Sequence, residues 1–304
     1  MSTNNLRFNP NTEGDNNSSW ISKVGAILLD KEGSDIDRSN ALPVVDPDIA
    51  YAERLIEATY GDTVSVYAKA KSLIKFGRNP NVGTATTGYT LWSTGVDQAN
   101  ETYVADNVNS IDSISSSSTS DTIQLTVEGH TMTGGDRTFV VQTVTLSGRT
   151  RVALTTPLNR ATRVYNSNAV NLVGNVYVYQ NTAISSGKPT DTTKIHLTVR
   201  AGKNQSEKAS TSLSSTDYWI ITGFRGSVLK KTAGFADVEI QARLAGGVFR
   251  QLEDVATSSG SAGIFRFKPY LIIPPNSDIR LIAVADSSGT DVSGSIQGYL
   301  ASIQ

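Results

Sequence analysis

The stretch PYLIIPPNSDIRLIAVA, Pro269 to Ala285, sets the terms on which the chain folds. Two apolar runs rich in β-branched residues flank Pro274-Pro275-Asn276-Ser277-Asp278. Branched side chains suit a pleated, half-buried surface. The two prolines cannot donate to a ladder and so end the first run, while Asn, Ser and Asp turn a chain by bonding its backbone. Two strands, Tyr270–Ile273 and Ile279–Ala285, are expected around a turn at 276–278. Arg280 alternates with Ile279 and Leu281, so it is expected to point away from their face, toward solvent or a subunit contact.

The same punctuation extends in both directions. Toward the C-terminus lies VSGSIQGYLASIQ, and toward the N-terminus IFRFK, ADVEIQARLAGGVFRQLE, DYWIITGFRGSVLKK and KIHLTVRAG, with Gly246-Gly247 marking a hairpin. Further back come GNVYVYQ, ATRVYN, RTFVVQTVTLSGRTRVALTTP and DTIQLTVEGH. Here Gly134-Gly135 marks one turn, and Ser147-Gly148 reads as a two-residue hairpin turn. VSVYAKAK alternates as a strand does. Short runs spaced by turns, without interposed helices, predict a sandwich or barrel. A single helix is expected after Asp46 as N-cap, with Pro47 at its first position, Ile49, Ala52, Leu55, Ile56 and Thr59 on one face, and Gly61 closing it. Before it, Asn, Ser, Asp and Gly dominate an arm whose one apolar patch is WISKVGAILLD. The predicted fold is all-β: two β-sandwich, jelly-roll-like domains preceded by an extended N-terminal arm and one short helix. The softer stretch NTAISSGKPTDTTK places the boundaries at 1–62 for arm and helix, 63–182 for the first sandwich and 183–304 for the second.

Composition narrows the function. In 304 residues only 18% are charged and the formal net charge is −1, which disfavours a nucleic-acid binder, since phosphate affinity needs clustered excess Lys and Arg. There is no Cys, hence no disulfide or thiolate chemistry. No signal peptide and no span of about 20 apolar residues is read, so no membrane partner is expected. Of two histidines, His130 sits beside a turn and His196 within a strand, and neither belongs to a recognisable catalytic motif. The carboxylates Glu128, Asp136, Glu239, Glu253 and Asp254 are scattered through different runs, so sequence brings no two of them together. Asp35, Asp37 and Ser39 suggest part of a calcium loop, but Asn40 stands where Gly is needed and Asp46 where Glu is needed. Lys69, Lys71, Lys75 and Arg78 are expected to form a solvated strand face. Trp92, Trp219, Tyr218 and Tyr270 are expected in cores or interfaces. No catalytic, cofactor or metal residue is assigned.

The runs SISSSSTSDTIQLTVEGHTM, FVVQTVTLSGRTRVALTTPLNRATRVYN, GNVYVYQ, DYWIITGFRGSV and FRFKPYLIIPPNSDIRLIAVA together resemble virion structural proteins of tailed bacteriophages, marine ones especially. The resemblance covers about residues 65 to 304 and carries no catalytic signature. It implies a non-enzymatic assembly component, a capsid decoration or cement protein located in the virion. The implied partners are the major capsid protein or other virion proteins, and a second copy of itself, with a trimer favoured. A tail or fibre protein whose outer sandwich binds a receptor or polysaccharide, and a carbohydrate-active enzyme, are the alternatives.

Overall fold

The computed structural model describes residues 47–65, 71–93, 100–229 and 234–303. The arm, its Trp20–Asp30 patch, Asp46, Lys69 and the partial calcium loop lie outside them. Helix α1, Pro47–Tyr60, forms as expected and ends at Gly61, whose φ of 73° and N–H bond to the Glu57 carbonyl make the C-cap. Contacts run continuously from Asp48 onward, so the β-structure is one compact unit.

Among the described residues nineteen strands follow in chain order. The first three are β1 (Val64–Ser65), β2 (Lys71–Val82) and β3 (Tyr89–Thr90). Next come β4 (Ile111–Ser116), β5 (Gln124–Thr133), β6 (Asp136–Thr145), β7 (Val152–Leu158), β8 (Arg160–Tyr165), β9 (Val176–Gln180), β10 (Ile184–Ser185), β11 (Lys188–Pro189) and β12 (Ile195–Val199). The last seven are β13 (Ser210–Ser212), β14 (Asp217–Val228), β15 (Phe235–Leu244), β16 (Arg250–Ser258), β17 (Ala262–Ile273), β18 (Ser277–Ala285) and β19 (Thr290–Ile303).

One sandwich pairs β2-β19-β14-β17 against β13-β18-β15-β16. Taking β3 and β13 as one strand, this is the eight-stranded, two-sheet order of a jelly roll. The fusion of β3 and β13 is literal. Tyr89 and Thr90 lie opposite Ala283 and Ile282, Ser210 to Ser212 continue opposite Arg280 to Asp278, and Leu91 and Ala209 are hydrogen-bonded at the join. The chain leaves this edge strand after Leu91, builds the other sandwich and returns at Ala209. Trp92 and Lys208 bridge each other antiparallel at the stem. The inserted sandwich faces β12-β9-β4-β7 onto β6-β5-β8.

Each sandwich has its own core. Trp219, Phe224, Val238, Ile240, Leu281 and Ile296 fill the jelly roll, and Ile114, Val127, Leu158, Val164, Val178 and Leu197 fill the insert. Helix α1 presses Ile49, Ala52 and Ile56 onto Tyr218 and Ile220 on the outside of the jelly-roll sheet. Ile56 and Ile220 are fully buried, and each such side chain contributes roughly 1.5–3 kcal/mol.

The expected boundary at 182/183 therefore differs from the division between cores. β2 and β3 belong to the later sandwich and β12 to the earlier one, because strand partners are chosen across the sheet and not along the chain. The Gly134-Gly135 turn joins paired strands β5 and β6, both glycines at positive φ. The Ser147-Gly148 step is a tight turn but no hairpin: β6 pairs with β5 and β7 with β4, so the chain crosses between sheets there. The opening stretch likewise turns between sheets, at Pro275-Asn276, with Asn276 at φ 57°. Ser277 and Asp278 are already strand.

Candidate functional site

The junction between the sandwiches concentrates most of the buried charge. Asp278, expected as a turn residue, is the second residue of β18 and is wholly buried. The hairpin tip of β5–β6 brings Arg137 to it at 2.9 Å, β8 brings Arg160 at 3.1 Å, and β15 brings Arg243 at 3.0 Å. Ser212 on the resumed edge strand donates its hydroxyl at 2.6 Å. Burial alone would raise this carboxyl, but Arg160 and Arg137 override burial and hold it at about 2.

The arginines are bound in turn by groups from both sandwiches. Arg137 donates its backbone N–H to the Asn276 Oδ1 at 3.1 Å and Nη1 to the Asn276 carbonyl at 3.1 Å. Arg160 donates to the Val104 carbonyl at 2.8 Å and to Asp106 at 3.1 Å. Arg243 lies over the rings of Tyr103 and Phe249. Arg280 points away from the core and is half-buried: it stacks on Phe249 at 3.9 Å and donates to Gln241 at 3.0 Å. The reason is local, since its alternation points it outward from the core, where the loop after β15 folds an aromatic ring across it.

A second buried set lies at the stem. Lys208 pairs with Glu101 at 2.6 Å and donates to the Ala161 and His196 carbonyls at 3.0 and 3.2 Å. Glu101 also accepts from Ser210 at 2.7 Å and from the Tyr103 hydroxyl at 3.0 Å. Burial, with Glu101 adding to it, raises the Tyr103 phenol well above its ordinary value.

Beside these sets runs a cleft of about 700 Å³. β2 lines it with Lys71, Ile74, Lys75 and Phe76, and the insert lines it with Glu128, His130, Phe139, Thr162 and Arg163. The basic run is thus no solvated face. Lys75 turns inward and donates to the Thr162 carbonyl at 2.5 Å, while Arg78 turns outward to Asp291. Burial first, and Lys208 second, lower the Lys75 ammonium to about 7. Lys71 is exposed.

Both histidines are buried and lowered to about 3, mainly by burial, with Arg137 acting on His130 and Lys208 on His196. His196 meets the Gln180 amide at 2.9 Å, and the His130 Nδ1 has no hydrogen-bond partner. Among the described residues neither is bonded to a serine or threonine hydroxyl that it could activate. Glu128 is 3.9 Å from Arg163. Glu239 and Asp254 do meet, directly opposite each other across β15 and β16, with Glu253 beside them and Asp136 far off at the β5–β6 turn. They stand on an outer sheet face away from the cleft. Trp219 lies in the jelly-roll core, Tyr218 and Tyr270 under helix α1, and Trp92 against Tyr177 and Tyr179 at the stem. Among the described residues no cluster of His, Asp or Glu is arranged to hold a metal, and no helix is long and apolar enough to cross a membrane.

Sequence reasoning passed over Arg137, Arg160, Arg243, Asp106, Glu101 and Lys208. Each is a charged residue in or beside a β run, which by alternation alone reads as solvent-facing. Only the strand order reveals that a second sandwich covers that face.

No protein-family model matches the chain, and no curated protein matches it. Among solved structures, the chain is similar to infectious bursal disease virus of the Gt strain at 12% identity, covering 79% of this chain and 73% of that one, with a TM-score of 0.19. It is similar to the VP2 subviral particle of the same virus at 13% identity, covering 83% and 77%, with a TM-score of 0.18. Overlap at that level establishes no shared fold.

Proposed function

We propose that this chain is a non-enzymatic structural protein of a virus particle, a capsid decoration or cement protein that grips the head lattice through its N-terminal arm and inserted sandwich. The observation that carries this reading is the junction. An eight-stranded jelly roll, a plan that recurs in capsid and lectin domains, is tied to its insert by the buried carboxylate of Asp278, which the insert's Arg137 and Arg160 reach across the junction beside the host's own Arg243. Charge spent on holding two bodies in one orientation suits a part that bears load in an assembly. Because folds host many functions, the reading also leans on the sequence resemblance to phage virion proteins.

The test is co-sedimentation of the purified chain with particles stripped of it, followed by cryo-EM of the decorated heads. Binding at regular lattice positions, lost when residues 1–46 are deleted while thermal melting is unchanged, is the expected result. Retained binding by the deleted chain, or no lattice density, overturns it.

A second reading has one observation in its favour. The cleft offers Phe76 and Phe139 beside Lys71, Arg163 and Gln205, a mixture of ring faces and hydrogen-bonding groups fit for a sugar. Glycan-array binding abolished by Phe139→Ala would support a receptor- or polysaccharide-binding role. Turnover of polysaccharide that is lost in Glu239→Gln and Glu253→Gln would instead reveal an enzyme.

A further inference from the structure

The two sheets of the jelly roll carry, on their outer faces, charged groups of opposite sign that have no ion-pair partner among the described residues. On the β2-β19-β14-β17 sheet, cross-strand register sets Phe76, Ser295, Arg225 and Ile264 in one rank, and Ile74, Gln297, Gly223 and Arg266 in the next. Helix α1 packs on this face only at its other end, over Tyr218, Ile220 and Tyr299. The two ranks are left open: Ile74 is 58% and Ile264 61% exposed, and both arginines are exposed. Arg225 donates to the Ser295 hydroxyl at 3.0 Å. Neither arginine pairs with a carboxylate among the described residues.

On the opposite sheet, Asp237 and Glu239 point outward from β15, and Glu239 lies directly across from Asp254 of β16. Like charges facing each other across a ladder are destabilising. Here they are relieved only by amides, Gln241 donating to Glu239 and Gln251 to Asp254, each at 3.0 Å. No cation pairs with Asp237, Glu239 or Asp254 among the described residues, and Phe235 beside them is 63% exposed.

We propose that copies of this chain associate head to tail, the Arg225 and Arg266 face of one copy docking on the Asp237, Glu239 and Asp254 face of the next. Each surface supplies what the other lacks: two unpaired guanidiniums for a repelling carboxylate pair, with Phe76, Ile74 and Ile264 meeting Phe235. The two faces lie on opposite sides of one sandwich, so the contact is heterologous. Such a contact repeats from copy to copy, as a ring where the rotation between copies closes and as a filament where it does not. This surface is a property of the chain alone and does not rest on the virion role.

The experiment is sedimentation velocity on the full chain at low and high salt, with two charge-reversed variants. Variant one carries Arg225→Glu and Arg266→Glu; variant two carries Glu239→Arg and Asp254→Arg. The wild type is expected to be oligomeric at low salt and to dissociate as salt screens the contact. Each variant alone is expected to be monomeric with an unchanged melting temperature. An equal mixture of the two is expected to associate again as alternating copies, because the two intact faces fit each other and so do the two reversed ones. All four changes in one chain are expected to restore the oligomer. A monomeric wild type at low salt, variants that assemble like the wild type, or a mixture that stays monomeric overturns the proposal. Should a reversal lower the melting temperature, Arg225→Gln with Arg266→Gln carries the same test.

Discussion

Asp278→Asn removes one negative charge from a buried cluster while keeping its shape. The carboxyl is held at about 2 against an ordinary 3.8, and that gap is worth roughly 2 to 3 kcal/mol. Because the folded-state value is depressed, this stability is fully present above about pH 4 and is lost as pH falls toward 2. The substitution also leaves Arg137 and Arg160, buried beside a single remaining carboxylate, Asp106, and stripping one partner from such a group costs about 3–5 kcal/mol. Urea unfolding at neutral pH should therefore show Asp278→Asn destabilised by about 2.5–5 kcal/mol, with the denaturant slope unchanged. Repeated at low pH, the gap between wild type and variant should narrow, since the wild type loses there what the variant never had. A variant within about 1 kcal/mol of wild type at neutral pH, or an equal gap at both pH values, would refute the account of Asp278 as the ionised hub.

The Lys75 ammonium sits at about 7 in the fold against 10.5 ordinarily, so the unfolded chain binds a proton that the fold refuses, and stability should rise with pH across that interval. Lys75→Met should abolish that rise and stabilise the chain at neutral pH by about 1–4 kcal/mol, read by thermal melts from pH 6 to 10; a variant with the same pH profile as wild type counts against it. A methyl group added at Gly77 would come within 1.9 Å of the Leu91 carbonyl oxygen and 2.4 Å of the Ala209 nitrogen. Gly77→Ala should thus cost about 3 kcal/mol or more by forcing the backbone apart where the edge strand is rejoined, and a cost under about 1 kcal/mol would mean that the join yields easily. Ile56→Ala should cost about 2–5 kcal/mol and raise amide exchange across helix α1 before the strands; uniform exchange across both would show that the helix and sheet open together.

What the sequence made legible was local. Alternation and β-branching locate the strands, Gly134-Gly135 and Gly246-Gly247 locate two hairpins, and Pro47 to Gly61 bound the helix, because each depends on residues close together in the chain. Sheet membership depends on distant partners and escaped it: nothing in Tyr89-Thr90 signals that its continuation is Ser210-Thr211-Ser212. The junction escaped for a related reason. Asp278 follows Asn276 and Ser277 and so reads as turn chemistry, and its three arginines come from strands 35 to 141 positions away. For Arg280, alternation supplies the direction away from the core but not the Phe249 ring that waits there.

The stem at Trp92 and Lys208 makes the inserted sandwich an exchangeable part. Both ends of the insert leave the host from one point, hydrogen-bonded to each other, so a short loop between Leu91 and Ala209 would restore an unbroken eight-stranded body, and a different domain with adjacent termini could be seated there instead. What limits such grafting is the far side of the joint. Without Arg137 and Arg160 the carboxylate of Asp278 keeps only the host's own Arg243 and Ser212, so a replacement that brings no cation to it leaves one side of that buried charge uncovered, and the host that accepts new cargo through its stem selects among cargoes at Asp278.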